Sequence, residues 1–212
     1  MTALPTLYTP RLVLRPFTPR DAPRVMQLAG DPRVAATTLR IPHPYPAGEA
    51  ERFIGTHRQQ AEVGNYYFAV TLAGTRTPGR EHDFGDTGHV VGTVSLGTCE
   101  ESDQTAASLG YWMGTAYWNK GFATEAARAV LAFGFRRCGL HRVTASHLAH
   151  NTASGRVMQK LGMLREGVLR QAIRKEGDFH DLVVYGLLEN EWNAQNRRSL
   201  RMTPAEREVV HS

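Results

Sequence analysis

Hydrophobic positions along the chain change period several times, and each change marks an element. Arg11-Leu12-Val13-Leu14-Arg15 sets an apolar centre between charged ends and predicts an opening strand. Thr18-Pro19-Arg20-Asp21 then offers a hydroxyl at the N-cap, a proline at N1 and a carboxylate at N3, the signature of a helix start. Val25, Met26, Leu28 and Ala29 form the apolar side of that helix, Gly30 stops it, and Asp31-Pro32 opens a second short helical piece. Ile41 to Gly48 holds Pro42, Pro44 and Pro46 and predicts an irregular loop. A longer helix is expected from Glu49 to Val63.

Tyr66–Leu72 and His89–Thr98 are runs of β-branched and aromatic residues, expected as neighbouring antiparallel strands. Gly74–Gly88, rich in Gly, Thr and charge, joins them as a long, mobile connection. Glu100, Glu101 and Asp103 mark a turn, and Thr105–Met113 returns as a strand. A long apolar helix follows, with Phe122, Ala126, Ala129, Leu131, Phe133 and Phe135 inside, Arg136 and Arg137 at its negative end and Gly139 as the stop. Arg142–Leu148 is the next strand, parallel to the previous one if this helix crosses between them. A helix from Thr152 to Leu161 and strands over Met163–Arg170 and Phe179–Leu188 complete the pattern, with Lys175–Asp178 as the last hairpin turn. The tail beyond Trp192 is polar, although Thr203-Pro204-Ala205-Glu206 is a further capping box suited to a short terminal helix. One α+β domain over residues 1–192 is expected, with a mixed sheet of about six or seven strands and a polar tail over 193–212.

Composition narrows the function classes. A chain of 212 residues with 42% hydrophobic content can bury a real core, and no apolar run reaches the length of a membrane span. The start, MTALPTLYTPRL, lacks the charged and apolar regions of a secretory signal. Cys99 and Cys138 are too few for a disulfide framework, and nine histidines show no helical metal-ligand pair, so a cytoplasmic protein without a metal is expected. The net charge of +5 favours polyanionic ligands only mildly, and its one local cluster, Arg197, Arg198 and Arg201, reads as a solvated tail. No strand interleaves basic residues with aromatics, so direct nucleic-acid binding is not expected.

The chemistry concentrates in Tyr111 to Gly139, a strand end, a turn holding Asn119, Lys120 and Gly121, and the apolar helix. Unpaired N–H groups and partial positive charge make a helix start a natural phosphate seat, and Gly121 lets a ligand approach the backbone closely. Asp and Glu are absent from Tyr111 to Thr124, so no carboxylate is expected to guard this helix start. Neither a P-loop nor a dinucleotide glycine motif is present. A second block follows in Asn151-Thr152-Ala153-Ser154, with Lys160-Leu161-Gly162 closing its helix.

Together these blocks resemble the GNAT superfamily of acyl-CoA-dependent N-acetyltransferases, and within it the RimJ/RimL-like branch that contains the ribosomal-protein alanine N-acetyltransferases. Tyr117-Trp118-Asn119-Lys120-Gly121-Phe122-Ala123-Thr124-Glu125-Ala126 is similar to that branch's CoA loop, with Trp118 where the wider family places Gln or Arg. TPRLVLRPFTPRDA resembles its first strand and turn, and the likeness covers roughly residues 8 to 190. The resemblance implies a mixed, mostly antiparallel sheet with helices on both faces and two parallel strands that splay beside Tyr111–Met113, leaving backbone groups for the pantetheine arm. Gly110 and Gly114 would permit the bulge that such splaying requires. It further implies acetyl-CoA bound by Tyr111, Trp112, Met113, Asn119, Lys120, Gly121, Phe122, Ala123, Thr124, Asn151, Ser154 and Arg156. By the same likeness a backbone N–H near Met113 holds the oxyanion, Asn151 binds the pantetheine or its sulfur end, and Ser154 protonates the departing thiolate, Met158 standing where many relatives carry tyrosine. His43 and Tyr45 are candidate acceptor contacts, and His147, His150, Glu100 and Glu101 are the groups open to the role of base. The implied reaction is acetylation of a primary amine, a protein N-terminus or a small molecule such as a polyamine, aminoglycoside or amino acid. A CoA-binding sensor without turnover is the remaining alternative, and the protein is expected as a monomer or homodimer.

Overall fold

The computed structural model describes residues 4–74, 88–98 and 105–201. Its organising element is an eight-stranded sheet in the order β1-β2-β3-β4-β5-β6-β8-β7. The short β1 (Leu7–Tyr8) pairs with β2 (Leu12–Arg15), and β2 leads through a 3-10 turn (Pro19–Asp21) into α1 (Ala22–Ala29), α2 (Pro32–Thr37) and α3 (Glu49–Glu62). Then come β3 (Tyr66–Leu72), β4 (Val90–Thr98) and β5 (Ala106–Met113), followed by α4 (Phe122–Arg137) and β6 (Arg142–Leu148). The chain ends in α5 (Thr152–Lys160), the hairpin of β7 (Leu164–Lys175) and β8 (Asp178–Leu188), and α6 (Glu189–Arg201). All neighbours are antiparallel except β5 and β6.

Strand alternation sorts the core onto the sheet's two faces. Leu12, Leu14, Phe68, Val70 and Leu96 pack with Ala126, Ala127, Val130 and Leu131 of α4. On the other face Ala69 and Val90 meet Ala22 and Val25 of α1 and Ala50 and Ile54 of α3. Between β7 and β8, Lys175 pairs with Asp178, and Glu176 and Gly177 take φ values of 53° and 97°. Positive φ at both central residues is what a two-residue hairpin turn needs to match strand twist, so this turn lies where the sequence puts it.

Four expectations are corrected. The sheet has eight strands rather than six or seven, because Leu7–Tyr8 adds a two-residue edge too short to show any periodicity. β7 runs to Lys175 rather than Arg170. The boundary drawn after Trp192 falls inside α6, where Trp192 is only 2% exposed and stacks on Phe135 at 5.8 Å, docking the helix onto α4. No bulge occurs at Gly110 or Gly114, since β4 and β5 stay in register from Gly92↔Met113 to Thr98↔Ala107. Gly114 instead admits Leu28, whose Cδ2 would stand 2.6 Å from a Cβ there. The connection over residues 75–87, Cys99, the Glu100-Glu101-Asp103 turn and the Thr203–Glu206 capping box lie outside the described residues. Among the described residues no helix is long and apolar enough to cross a membrane.

The entry to α1 is fastened by charge. Arg15 places Nη1 and Nη2 each 2.8 Å from the two Asp21 oxygens, and Thr18 N donates to Oδ2 at 2.7 Å. Burial alone would raise the Asp21 carboxyl; the Arg15 and Thr18 hydrogen bonds outweigh it and hold the group below its ordinary 3.8. A carboxyl depressed in the folded state contributes stability above its unfolded pKa and loses it as pH falls through the folded value. Asp21→Asn is therefore expected to lower unfolding free energy by about 1–3 kcal/mol at neutral pH. In urea titrations the gap to the parent protein should shrink steadily below pH 4.

Candidate active site

β5 and β6 pair over three positions only, Ala106↔Arg142, Ala107↔Val143 and Ser108↔Thr144. Beyond them β5 continues to Met113 and β6 to Leu148 with no ladder between them. Gly114 N donates to Val91 O at 2.9 Å, so the alternation of an antiparallel pair turns the even-numbered peptide groups of β5 toward β4. The Leu109 C=O, both peptide groups of Tyr111 and the Met113 N–H consequently face the gap, the Leu109 N–H belonging to the last parallel pair and the Met113 C=O accepting from Trp118. The first turn of α5 holds this gap open. Ser154 meets Tyr111 of β5, and Gly155 lies so close to His147 of β6 that a Cβ there would stand 2.9 Å from Nε2.

At the far end of β5 the chain turns into α4. Trp118 Nε1 donates to Met113 O at 2.7 Å, closing the loop back on the strand. Asn119 and Gly121 both adopt left-handed backbone, φ 58° and 77°, and Gly121 is the N-cap of α4. The first intrahelical bond is Glu125 N to Gly121 O, which leaves the N–H groups of Phe122, Ala123 and Thr124 without helical acceptors. Lys120 Nζ lies 5.9 Å above the Tyr117 ring, on the exposed rim. The expectation of a carboxylate-free helix start is corrected: Glu125 stands in the first turn. Burial would raise its carboxyl, but hydrogen bonds from Thr9 and Arg11 lower it below the usual range.

Asn151 is the N-cap of α5, its Oδ1 accepting from Ser154 N at 3.1 Å while Nδ2 donates to Thr37 O at 2.9 Å. The side chain thus ties α5 to the end of α2. Ser154 Oγ lies 2.9 Å from the Tyr111 hydroxyl, which is also 3.1 Å from Ser154 O. Burial pushes the Tyr111 phenol up to about 12, so it stays a neutral donor.

The sequence-derived residues do not all converge. Tyr111, Met113 and Ser154 meet at the gap, and Asn119 to Thr124 line the helix start. The Trp112 ring packs against the cluster of Ala22, Val25, Ala50, Ile54, Ala69 and Val90 on the other face of the sheet, and its peptide groups turn toward β4, so Trp112 does not present a polar group to the gap. Arg156 is exposed and lies 3.4 Å from Thr152. His147 is 6% exposed with Nδ1 2.8 Å from Leu148 O, a packed residue, whereas His150 Nε2 lies 3.0 Å from Ala36 O. His43 is exposed, and burial pushes the half-buried Tyr45 phenol up to about 12. Arg11, Thr9, Thr37 and the hydroxyl of Tyr111 acquire their contacts only through the fold.

The two halves of the Asn151 amide can be separated by substitution. Asn151→Ala should destabilise the protein by about 1–2 kcal/mol in chemical unfolding. Asn151→Asp keeps the acceptor for Ser154 N but loses the donor to Thr37, and should recover at least half of that loss. Equal losses for both variants would assign the stability to the α2 tie alone.

Residues 11–164 match the acetyltransferase (GNAT) domain family. The uncharacterized N-acetyltransferase YnaD of Bacillus subtilis is 44% identical over 85 residues, 40% of this chain, and the match spans 50% of that protein's length. The [ribosomal protein uS5]-alanine N-acetyltransferase of Escherichia coli is 26% identical over 190 residues, covering 88% of this chain and 92% of that one. RimL, a ribosomal L7/L12 alpha-N-protein acetyltransferase solved in complex with coenzyme A, shares the fold at TM-score 0.73 and 18% identity, over 87% of this chain and 98% of that one. The family match runs from β2 through α5 and includes both the open β5–β6 gap and the Gly121 turn, so the chain belongs to the GNAT acetyltransferases.

Proposed function

We propose that this protein transfers an acetyl group from acetyl-CoA to a primary amine, and that the acceptor is a protein N-terminal amine. The observation that carries the reading is the row of β5 peptide groups facing a gap that ends at the Gly121 turn. Such a strand edge fits the amide-bearing pantetheine arm as it would fit an added strand, and the start of α4 fits the diphosphate. Asn119, Lys120, Gly121, Phe122, Ala123 and Thr124 hold the phosphates, while the backbone of Tyr111 and the Met113 N–H border the arm.

Bound acetyl-CoA supplies the thioester that is attacked. The Met113 N–H polarises its carbonyl and takes up the oxyanion charge. The acceptor nitrogen attacks as a neutral amine, forming the C–N bond, releasing its proton to water and expelling the thiolate as the C–S bond breaks. Ser154 gives its hydroxyl proton to that thiolate and regains one from water; the Tyr111 hydroxyl fixes its Oγ throughout. Asn151 acts through position, setting the turn on which Ser154 is carried.

A protein α-amine near pKa 8 is partly neutral at physiological pH, which removes the need for a strong base. Asp31 is the one carboxylate from residue 31 to residue 48, and Arg33 and Thr115 already occupy it at 2.7 and 2.9 Å. That favours the α-amine over polycationic small acceptors. Release of free thiol from acetyl-CoA, measured with N-terminal peptides, polyamines and aminoglycosides, tests the choice. Peptides acetylated at the α-amine are expected, and turnover restricted to polyamines would overturn it.

Ser154→Ala should lower kcat about a hundredfold at saturating acetyl-CoA with little change in KM for the donor. Unchanged turnover would take Ser154 out of the mechanism.

A further inference from the structure

Arg11 reaches the start of α4 from the far end of the sequence. Its Nε donates to Glu125 Oε2 at 2.7 Å, its backbone N donates to Oε1 at 2.9 Å, and Nη1 donates to Lys120 O at 3.0 Å. Nη2 lies 2.7 Å from Glu125 Oε2, and the guanidinium stacks 4.8 Å over the Phe122 ring. The same Nη2 would stand 3.3 Å from a Cβ at Gly121, so the cation lies directly against the turn. Thr9 Oγ1 completes the set, donating to Glu125 Oε1 at 2.6 Å.

This arrangement answers an electrostatic difficulty. A carboxylate in the first turn stabilises an isolated helix, yet it repels a phosphate seated on the same N-terminus. Arg11 and Thr9 saturate that carboxylate and hold it toward β2. Arg11 also engages the Lys120 carbonyl, whose oxygen would otherwise add negative potential at the turn. A guanidinium carries five N–H donors in a fixed fork, and those not engaged by Glu125 and Lys120 remain for a phosphate oxygen. Its side chain is half exposed, as a ligand contact requires.

We propose that Arg11 is a phosphate-binding residue of the acetyl-CoA site, which masks Glu125 and presents its remaining N–H groups to the diphosphate at Gly121. The proposal rests on the acetyl-CoA reading and adds to it a contact from the N-terminal strand. Its signature is selectivity for the phosphate-bearing half of the donor.

Calorimetric titration of the purified protein with CoA, together with kcat/KM for acetyl-CoA and for phosphate-free acetyl-pantetheine, tests it. Arg11→Ala should weaken CoA binding about 10- to 100-fold and change kcat/KM for acetyl-pantetheine less than about twofold. Arg11→Lys keeps the charge without the fork and should fall between, which guards against a folding defect in the alanine variant. Glu125→Gln should bind CoA at least as tightly as the parent, and the Arg11→Ala/Glu125→Gln pair should recover part of the loss. Equal losses with both donors, or unchanged CoA affinity in Arg11→Ala, would overturn the proposal. Failure of the parent protein to bind CoA at all would instead overturn the acetyl-CoA reading.

Discussion

The structure depends on a ladder that stops. Three parallel pairs join β5 to β6, and after Ser108↔Thr144 the strands separate. Buried peptide groups need partners, so an open strand edge inside a fold persists only where something else satisfies or wets it. Here β5 is secured on its other edge by an unbroken antiparallel register with β4, and β6 by seven pairs with β8. Each strand is anchored by its outer neighbour, so the gap between them requires no strain in either. The first turn of α5 wedges the opening through contacts to Tyr111 on one side and His147 on the other.

That wedge joins fold to chemistry. Gly155 is needed because a side chain would collide with the His147 ring, and the close approach it permits also carries Ser154 to Tyr111. Asn151 sets the angle of the turn and binds it to α2. His150 and Lys175 add bonds from the same half of the chain to the carbonyls of Ala36 and Ile41. The segment from α2 into the proline-rich loop is thus held from across the gap. The two sides of the gap therefore share one set of supports.

What the sequence revealed follows the range of the forces involved. Long elements carry a local signature: β3 and β4 are buried on both faces and read as continuous β-branched and aromatic runs, while the helical repeat of α4 is visible in a single window. The Gly121 turn was legible because its glycine, small neighbour and helix are contiguous. β1 was not, since two residues have no period, and α6 was not, since its mean composition is polar and one buried tryptophan docks it. Gly110 and Gly114 illustrate a different limit. A missing side chain signals either a bulge or a close neighbour, and only the position of Leu28 decides between them. The Trp112 ring, assigned to the cofactor with its two neighbours, turned to the other face by the alternation that the strand itself imposes.

The electrostatics of α4 lay furthest from view. Glu125 and Arg11 are 114 positions apart, and local pattern offers no reason to pair an exposed strand arginine with a helix glutamate. Read locally, Glu125 is a favourable first-turn acid, and an anion site at the same terminus conflicts with it. The conflict disappears once β2 is known to lie beside the helix start, because the sheet order that places Leu12 and Leu14 under α4 also brings Arg11 to the Gly121 turn. A hydrophobic repeat thereby determines a polar contact made by the residue just before it in the chain. The polar surroundings of the Gly121 turn are consequently a property of two elements rather than of a glycine turn alone, and the residue entering β2 reaches them through the same register that builds the core.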